Sequence, residues 1–135
     1  MASFQLQIVT PDRNLYDGPA EKIIVRTVNG DVCIMAHHID YITPLGVGET
    51  RVTDENGNTR VAACNGGFLC VSGGAVRVMP ISFEWADEID LNRAQRAKEE
   101  AQVNLTAARK EDIGYKIAEY KLKRAMTRIQ VRENK

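Results

Sequence analysis

The hydrophobic periodicity of this chain changes once, at the stretch Glu88–Ala94 (EIDLNRA). Before it, short apolar segments with a period of two are separated by glycine, asparagine and proline, as in antiparallel strands and tight turns. After it, apolar residues recur at steps of three and four with no proline and a single glycine, Gly114, as in amphipathic helices. The change predicts a strand domain over residues 1–86 and a helical domain over residues 87–135.

The first domain reads as a series of short strands. Phe4–Ile8 alternates apolar residues with glutamines, the period of a half-buried strand. Asn-Gly pairs at residues 29–30 and 56–57 are typical of two-residue hairpin turns, since both residues tolerate positive φ. We expect residues 10–18 to form turns and residues 37–42 to form a polar loop. Because no helix separates the strands, the domain is predicted to be an antiparallel β-sandwich or barrel.

The second domain contains two helical segments. Their apolar stripes consist largely of alanine, and Ile113 and Ile117 are expected to broaden the second stripe. Asp90 and Asp112 are suited to cap the helices, because an aspartate can accept a backbone N–H that the first turn leaves unpaired. A turn at Arg109–Asp112 makes the helices antiparallel neighbours. Since alanine buries little area at ~25 cal/mol per Å², this hairpin needs a docking surface and could exchange one surface for another.

Charge is uneven along a chain whose formal net charge is zero. Residues 1–84 hold six Lys or Arg against nine Asp or Glu, whereas residues 85–135 hold twelve against nine. A basic helix is typical of a solvated face or of a docking surface for an acidic partner. Nucleic acid is not expected as a partner, because the strand domain is acidic and the basic helix carries only Tyr115 and Tyr120 for stacking.

Other features argue against a metal site, membrane insertion and catalysis. Cys33, Cys64 and Cys70 lack C-x-x-C spacing, which predicts buried thiols rather than a disulfide framework or a zinc site. Adjacent His37 and His38 would point to opposite faces of a strand. No segment approaches the ~18–20 apolar residues of a membrane span, and no phosphate-binding loop, G-x-S-x-G or H-E-x-x-H motif occurs. We therefore expect a soluble or peripheral protein that is not an enzyme by itself.

Six segments occur in a characteristic order along the chain. They are TPDRNLYDG, VRTVNGD, ITPLGVG, NGGF, EIDLNRA and LKRAMTRIQV. In this order and spacing they resemble the epsilon subunit of the bacterial F-type ATP synthase, over nearly the whole chain. The resemblance implies an N-terminal β-sandwich of two five-stranded sheets followed by a C-terminal antiparallel α-helical hairpin.

The resemblance also implies partners and a role. It places the chain in the central rotor, on the cytoplasmic side of the bacterial cell membrane, with the sandwich touching the gamma subunit and the membrane rotor ring. Asp31 and His38 match loop residues that face these partners, although residues 39–41 depart from the proline and small residues usual after the histidine. The hairpin would rise along gamma toward the alpha and beta catalytic subunits and inhibit ATP hydrolysis. Its basic contacts would be Lys121, Lys123, Arg124 and Arg128.

In some members of this family the motif I-D-x-x-R-A binds ATP on the folded hairpin. The residues that match the site here are Glu84, Ile89, Asp90, Arg93, Ala94, Arg124 and Arg128. Arginines supply planar donors for phosphate oxygens, and carboxylates accept from an adenine amino group or ribose hydroxyls. Glu100 stands where the ATP-binding members carry another arginine, and a carboxylate there repels phosphate. No cofactor is required by this interpretation, and ATP is the regulatory ligand that it implies.

Two functions therefore remain open. The first is a non-catalytic coupling and regulatory subunit of a rotary ATP synthase. The alternative is a free-standing small-molecule-binding β-sandwich that the helices merely cap. The basic, alanine-lined hairpin and the lack of pocket chemistry in the strand domain favour the first.

Overall fold

The computed structural model describes residues 2–134. Within this range nine strands precede a short 3₁₀ turn and two helices. The strands are β1 (Phe4–Val9), β2 (Asn14–Thr27), β3 (Gly30–Met35), β4 (Tyr41–Pro44), β5 (Val47–Asp54), β6 (Thr59–Asn65), β7 (Phe68–Ser72), β8 (Ala75–Met79) and β9 (Ser82–Trp85). The 3₁₀ turn is Ala86–Glu88, and the helices are α1 (Leu91–Ala107) and α2 (Ile113–Glu133).

The strands form one hydrogen-bonded network that folds into two layers. Its order is β4-β7-β8-β1-β2-β5-β6-β9, with β3 paired to β2, and β1–β8 is its parallel pair among otherwise antiparallel ones. The first part of the 14-residue β2 pairs with β1. The second part pairs with β3 and β5, with a register shift between Ala20 and Lys22. Strand β2 therefore belongs to both layers, and each layer has five strands when β2 is counted in both.

Alternation along the strands fills the space between the layers. Leu6 and Ile8 of β1 and Leu69 of β7 pack with Ile23 of β2 and Val52 of β5, and all five side chains are at most 1% exposed. Each such side chain contributes about 1.5–3 kcal/mol relative to an exposed position. The predicted fold class, an antiparallel β-sandwich followed by a helical hairpin, is confirmed.

Strands extend into two segments that were predicted as turn or loop. Residues 14–18 begin β2, because the N–H of Thr10 bonds the carbonyl of Arg13 at 3.0 Å and closes the turn earlier. Pro19 fits within β2 because β1 alone pairs with the chain at that position. Residues 41–42 belong to β4, which pairs with β7. The predicted turn and loop are therefore wrong over these residues.

Hairpins form at both Asn-Gly pairs, but their turns differ from the prediction. Residues 28–29 form the β2–β3 turn, and Gly30 already belongs to β3 with a φ of 115°. In the β5–β6 turn, Oδ1 of Asp54 accepts the N–H groups of Asn56 at 2.9 Å and Asn58 at 3.0 Å. This side chain stabilises a longer turn between the two strands. The predicted hairpins are therefore confirmed at both sites, but the first two-residue turn is shifted by one residue, to residues 28–29, and the second turn is longer than two residues.

The cysteines differ in exposure. Cys64 is buried, Cys70 is half-buried and Cys33 is exposed. Burial raises the pKa of the Cys64 thiol to about 12, so this group stays protonated. Cys33 alternates with the inward-facing Ile34 along β3 and therefore faces outward. The prediction of buried thiols is correct for Cys64 and wrong for Cys33.

The two helices pack against each other through alanine. Four buried residues line this contact: Ala94, Ala101, Ala118 and Ala125. Ile113 and Ile117 are 77% and 49% exposed, because at about 100° per residue they are turned away from the alanine row of α2. The prediction that they broaden the apolar stripe is wrong. Asp112 lies at the N-cap of α2 but its side chain makes no capping hydrogen bond.

The hairpin docks on the sandwich through α2, which lies over β5 and β6. Val131 of α2 is fully buried against Ala63 of β6 and against Ala86 and Ile89 of the junction. Nearer the N-terminal end of α2, the Tyr120 hydroxyl donates to the side-chain oxygen of Asn65. The apolar part of this contact is therefore confined to one end of α2.

The junction between the domains is tied to the β1–β2 loop by an ion pair. The Arg13 guanidinium donates to both oxygens of Glu88 at 2.9–3.1 Å. The same carboxylate accepts the N–H of Trp85 at 3.1 Å. Glu88 therefore holds the 3₁₀ turn against the sandwich, and the hydrogen bond from Arg13 lowers the pKa of Glu88 below its ordinary value.

Arg13→Met is expected to lower the free energy of unfolding at neutral pH by less than about 1 kcal/mol, because the Arg13–Glu88 pair is largely exposed. A carboxyl group with a lowered pKa in the folded state stabilises the fold at pH values above its unfolded-state pKa. This contribution disappears as the pH falls through the folded-state pKa. Urea unfolding of both proteins at decreasing pH should show the difference shrinking below the ordinary glutamate pKa of about 4.3. A difference independent of pH would contradict this role of Glu88.

The sandwich is expected to fold without the helices, because its core residues lie in the strands, apart from Leu45 in the link between β4 and β5, and none of them lies in a helix. A chain shortened to residues 1–88 keeps the Arg13–Glu88 pair and newly exposes Ala63 and its neighbour Val61. We expect one cooperative urea transition, weakened by about 1–3 kcal/mol, in the fluorescence of Trp85. Loss of cooperativity would show that the hairpin completes the core.

Candidate functional site

A cleft of about 560 Å³ lies between the two helices, the end of the sandwich and the junction. Strand β9 contributes Glu84, the junction contributes Ile89 and Asp90, and both helices supply the remaining walls. The cleft has an aliphatic floor from Ala94 and Ala101, and its rim is charged. It is therefore built from parts of the chain that are separated by up to 46 positions, from Ser82 to Arg128, and meet only when the hairpin is folded.

All seven residues predicted for the nucleotide site line this cleft. They are Glu84, Ile89, Asp90, Arg93, Ala94, Arg124 and Arg128. The first five follow one another from β9 into the first turn of α1, and the last two lie one turn apart on α2. Antiparallel packing of the helices brings the two groups together, so their common location is a consequence of the hairpin.

Asp90 fixes the start of α1, as predicted. Its Oδ1 accepts the backbone N–H of Arg93 at 3.1 Å, and its backbone is extended as in an N-cap. This bond satisfies one of the backbone donors that the first helical turn leaves unpaired. The second carboxylate oxygen of Asp90 and the Arg93 side chain remain at the cleft.

Arg128 is paired within the cleft. Its Nε donates to Oε1 of Glu84 at 2.5 Å, and the two side chains are 26% and 36% exposed. This ion pair joins α2 to the last strand of the sandwich. A charged pair that is partly removed from water is stronger than a fully exposed one, so this contact stabilises the folded hairpin.

Arg124 differs from Arg128 in the pairing of its guanidinium. Its Nε is buried and has no hydrogen-bond partner among residues 2–134, and its guanidinium carbon lies 5.8 Å from the ring centre of Tyr120. A buried unpaired donor costs about 1–3 kcal/mol.

Two further charged residues at the cleft come from facing helices. Glu100 of α1 and Lys121 of α2 both line it. The resemblance had pointed to Glu100 as a departure from the nucleotide-binding pattern, whereas Lys121 was assigned only to partner binding. The spacing of Lys121 from Arg124 and Arg128, three and seven residues, places all three on one helix face and could have revealed its location.

The other predicted partner-binding residues lie elsewhere. Asp31 accepts a hydrogen bond from Nε of Arg26 at 2.5 Å, which lowers the pKa of Asp31. His38 follows the opposite end of β3, and its Nδ1 lies 2.7 Å from the carbonyl oxygen of Ile39. Lys123 lines a separate groove with Arg26 and Asp31. In the folded hairpin, the four predicted basic contacts of α2 therefore do not form one surface.

The sandwich also exposes large apolar side chains that the sequence analysis did not single out. Ile39, Ile42 and Ile81 are 78%, 68% and 72% exposed, and Phe68 is 52% exposed. Phe68 of β7 pairs with Pro44 of β4, and Ile42 of β4 pairs with Cys70 two positions along the same two strands. Clustered exposed apolar residues are typical of interaction surfaces. In the sequence, Ile42 of β4 and Phe68 of β7 alternate with the buried residues of their strands, and this alternation indicates that they face outward.

No group of three or more His, Cys, Asp or Glu side chains is arranged to hold a metal ion within residues 2–134. No helix within the same residues has both the length and the apolar character needed to cross a membrane.

Comparison with protein families gives two adjacent matches. Residues 3–86 match the β-sandwich domain of the ATP synthase delta/epsilon chain. Residues 87–133 match the long α-helix domain of the same chain. The two matches cover both the sandwich and the hairpin.

Curated relatives and solved structures agree with these matches. The ATP synthase epsilon chain of Shouchella clausii is 38% identical over 135 residues, covering 100% of this chain and 98% of the relative. That of Alkaliphilus oremlandii is 41% identical over 110 residues, covering 82% of this chain and 81% of the relative. A chain of the Euglena gracilis mitochondrial ATP synthase has the same fold, with a TM-score of 0.82 and 23% identity over 94% of this chain and 79% of that one. This chain therefore belongs to the ATP synthase delta/epsilon family.

Proposed function

We propose that this chain is a non-catalytic central-stalk subunit of an F-type ATP synthase whose helical hairpin is a regulatory switch. In the folded hairpin, ATP bound in the cleft favours the observed arrangement. In an extended hairpin, the basic face of α2 contacts the catalytic subunits and inhibits ATP hydrolysis. The observation that carries the proposal is the cleft itself, which gathers candidate ligand contacts from β9, the junction, α1 and α2.

The family assignment supports the partners in this proposal. Relatives of nearly the same length are named ATP synthase epsilon chains. The fold also occurs in the central stalk and c-ring structure of the Tetrahymena thermophila mitochondrial enzyme, with a TM-score of 0.61 and 14% identity over 96% of this chain and 93% of that one. We propose that the sandwich contacts the gamma subunit and the membrane rotor ring, that the hairpin reaches the alpha and beta subunits, and that the chain is peripheral on the cytoplasmic side of a bacterial membrane.

The contact between hairpin and sandwich is suited to release. Its apolar part is small, and the contact leaves polar atoms unpaired on both of its sides. Nε of Arg124 and Oε1 of Glu49 are both buried, and neither has a hydrogen-bond partner within the described part of the chain. Glu49 lines the groove on the other side of α2 with Lys123. Each buried atom without a partner costs about 1–3 kcal/mol. A folded hairpin held this weakly can be shifted to another position by a free energy of a few kcal/mol.

The residues at the cleft fit ATP by their donors and acceptors. Arg93, Arg124 and Arg128 can supply planar donors to phosphate oxygens. Glu84 and Asp90 can accept from an adenine amino group or ribose hydroxyls. One ligand would thus join residues of both helices, and it would bind the folded hairpin better than the extended one. Such a difference in affinity is what shifts the population toward the folded form.

Titration of the full chain with ATP tests the proposed ligand. We expect binding heat in calorimetry and a rise in the unfolding temperature with ATP concentration, because a ligand that binds only the folded state stabilises it. Glu100 faces the same cleft, so we expect affinity in the millimolar to micromolar range, about −4 to −8 kcal/mol. Absence of both binding heat and a temperature shift would contradict ATP as the ligand.

Asp31 is expected to contribute to the contact with the rotor ring or gamma. It lies beside the β2–β3 turn, and its carboxylate is half-exposed and oriented by Arg26. Asp31→Lys is expected to weaken coupling of ATP hydrolysis to ion pumping several-fold while leaving the isolated fold intact. Ion pumping in reconstituted membranes measures this, with Asp17→Lys, on the exposed first part of β2, as the control. Equal pumping by both variants would contradict the role of Asp31.

A further inference from the structure

We propose that Lys121 sets the preference of this cleft for a nucleoside triphosphate over a diphosphate. This inference rests on the proposed function, because it concerns the same cleft. It adds a residue that the matched nucleotide motif does not include and gives it a separate role, the recognition of phosphate-chain length.

Lys121 belongs to a row of cations on one face of α2. Lys121, Arg124 and Arg128 all line the cleft. At 1.5 Å per residue, the first two are separated by about 4.5 Å along the helix axis and the last two by about 6 Å. An anion with several charged groups can contact more than one member of such a row at a time.

The charges already paired in the structure leave Lys121 free to act on a ligand. Arg128 is bound to Glu84, and Glu88 is bound to Arg13. The ion pairs among residues 2–134 involve neither Lys121 nor Arg124. The cleft therefore retains positive charge on α2 after its internal pairs are counted.

The order of charged groups gives the row a direction. Glu84 meets Arg128 at one end of the row, and Asp90 also lines the cleft. These carboxylates are suited to the amino and hydroxyl groups of a nucleoside and repel phosphate. Lys121 is the member of the row farthest along α2 from Glu84. The last phosphate of a chain that starts near the carboxylates would therefore meet Lys121.

Lys123 supplies a matched control. It is two residues from Lys121, has the same charge and is also exposed, but it lines the groove formed by Arg26 and Asp31 on the other side of α2. A general effect of the charge of α2 on a polyphosphate would act through both lysines. A contact within the cleft would act through Lys121 alone.

Glu100 supplies a variant with the opposite expected effect. It lines the cleft from α1, across from α2. Its carboxylate repels phosphate, whereas the Lys121 ammonium attracts it. Glu100→Gln is therefore expected to raise ATP affinity about threefold or more, without a change in the residues that fold the hairpin.

The test is calorimetric titration of the full chain and its variants with ATP and with ADP. Lys121→Ala should weaken ATP binding about five- to tenfold and ADP binding less than about twofold, and Lys121→Arg should retain the preference for ATP. Lys123→Ala should change neither affinity more than about twofold. Circular dichroism should show the same helix content in all variants, since both lysines are exposed.

The contrary outcomes are distinct. Equal effects of Lys121→Ala and Lys123→Ala, or equal weakening of ATP and ADP by Lys121→Ala, would overturn the inference and leave the nucleotide site standing. A complete lack of ATP binding by the unaltered chain would overturn both the inference and the proposed ligand.

Discussion

Removal of residues 89–135 is expected to increase the rate of ATP hydrolysis by the assembled enzyme several-fold. The hairpin is held on the sandwich by a short apolar contact around Val131, one ion pair and one side-chain hydrogen bond. It can therefore leave this position at a cost of a few kcal/mol. If the extended form blocks turnover and holds about nine-tenths of the population, its removal raises the rate about tenfold.

ATPase turnover of the reconstituted complex, with the full chain and with residues 1–88, measures this effect. The shortened chain retains Glu88 and its bond to Arg13, so the junction of the sandwich stays intact. Binding of the shortened chain to gamma should be unchanged, which excludes loss of the subunit as the cause. Equal turnover with both chains would mean that the hairpin has a structural role and no inhibitory one.

Replacing Arg124 and Arg128 together by alanine is expected to reduce ATP affinity about a hundredfold or more. Both residues line the cleft, and a charge-assisted hydrogen bond contributes about 1.5–3 kcal/mol. The same change should weaken inhibition, because the extended helix loses two of the cations that would contact an acidic surface of the catalytic subunits. Calorimetry measures the first effect and ATPase turnover the second.

Glu84→Gln separates the two functions of these arginines. It breaks the same ion pair as Arg128→Ala but leaves both arginines on α2. The folded hairpin should become less stable while the extended one keeps its charge, so inhibition should increase. Arg132→Ala, on the same helix but not at the cleft, should leave ATP affinity unchanged. An equal decrease of inhibition in Glu84→Gln and the double arginine variant would contradict the proposed switch.

The sequence predicts the fold class well, strands followed by helices, because the two periodicities differ and each period follows from local geometry. It fails where a tertiary contact decides the local structure. Residues 14–18 contain the turn-forming Asn14 and Gly18, yet they form a strand because β1 offers a pairing partner. Ile113 and Ile117 match the apolar composition of a buried stripe but are exposed, whereas Ala118 and Ala125 of the same helix are buried.

The candidate site is predictable to a similar extent. The capping role of Asp90 follows from its position before a helical period, and the structure confirms it. The pairing of Arg128 with Glu84 joins residues 44 positions apart, and no local pattern indicates it. Lys121 and Lys123 have the same side chain, so residue type does not distinguish them. Their angular position on α2, relative to the docked sandwich, decides which of them faces the cleft.

The position of the hairpin in the assembled enzyme, as a function of ATP, tests the central claim most directly. Cys33 is exposed on the sandwich and can carry a donor dye, and Met126 of α2 is 49% exposed and can be replaced by cysteine for an acceptor. Cys70→Ser removes the remaining partly exposed thiol, and Cys64 is buried.

Energy transfer between the two dyes should be high at saturating ATP, equal to that of the isolated folded chain, and should fall when ATP is removed. In the Arg124→Ala, Arg128→Ala background it should no longer respond to ATP. The contrary result would be energy transfer that stays at the folded value with and without ATP while the hairpin still inhibits hydrolysis. It would contradict the claim that inhibition requires the extended hairpin.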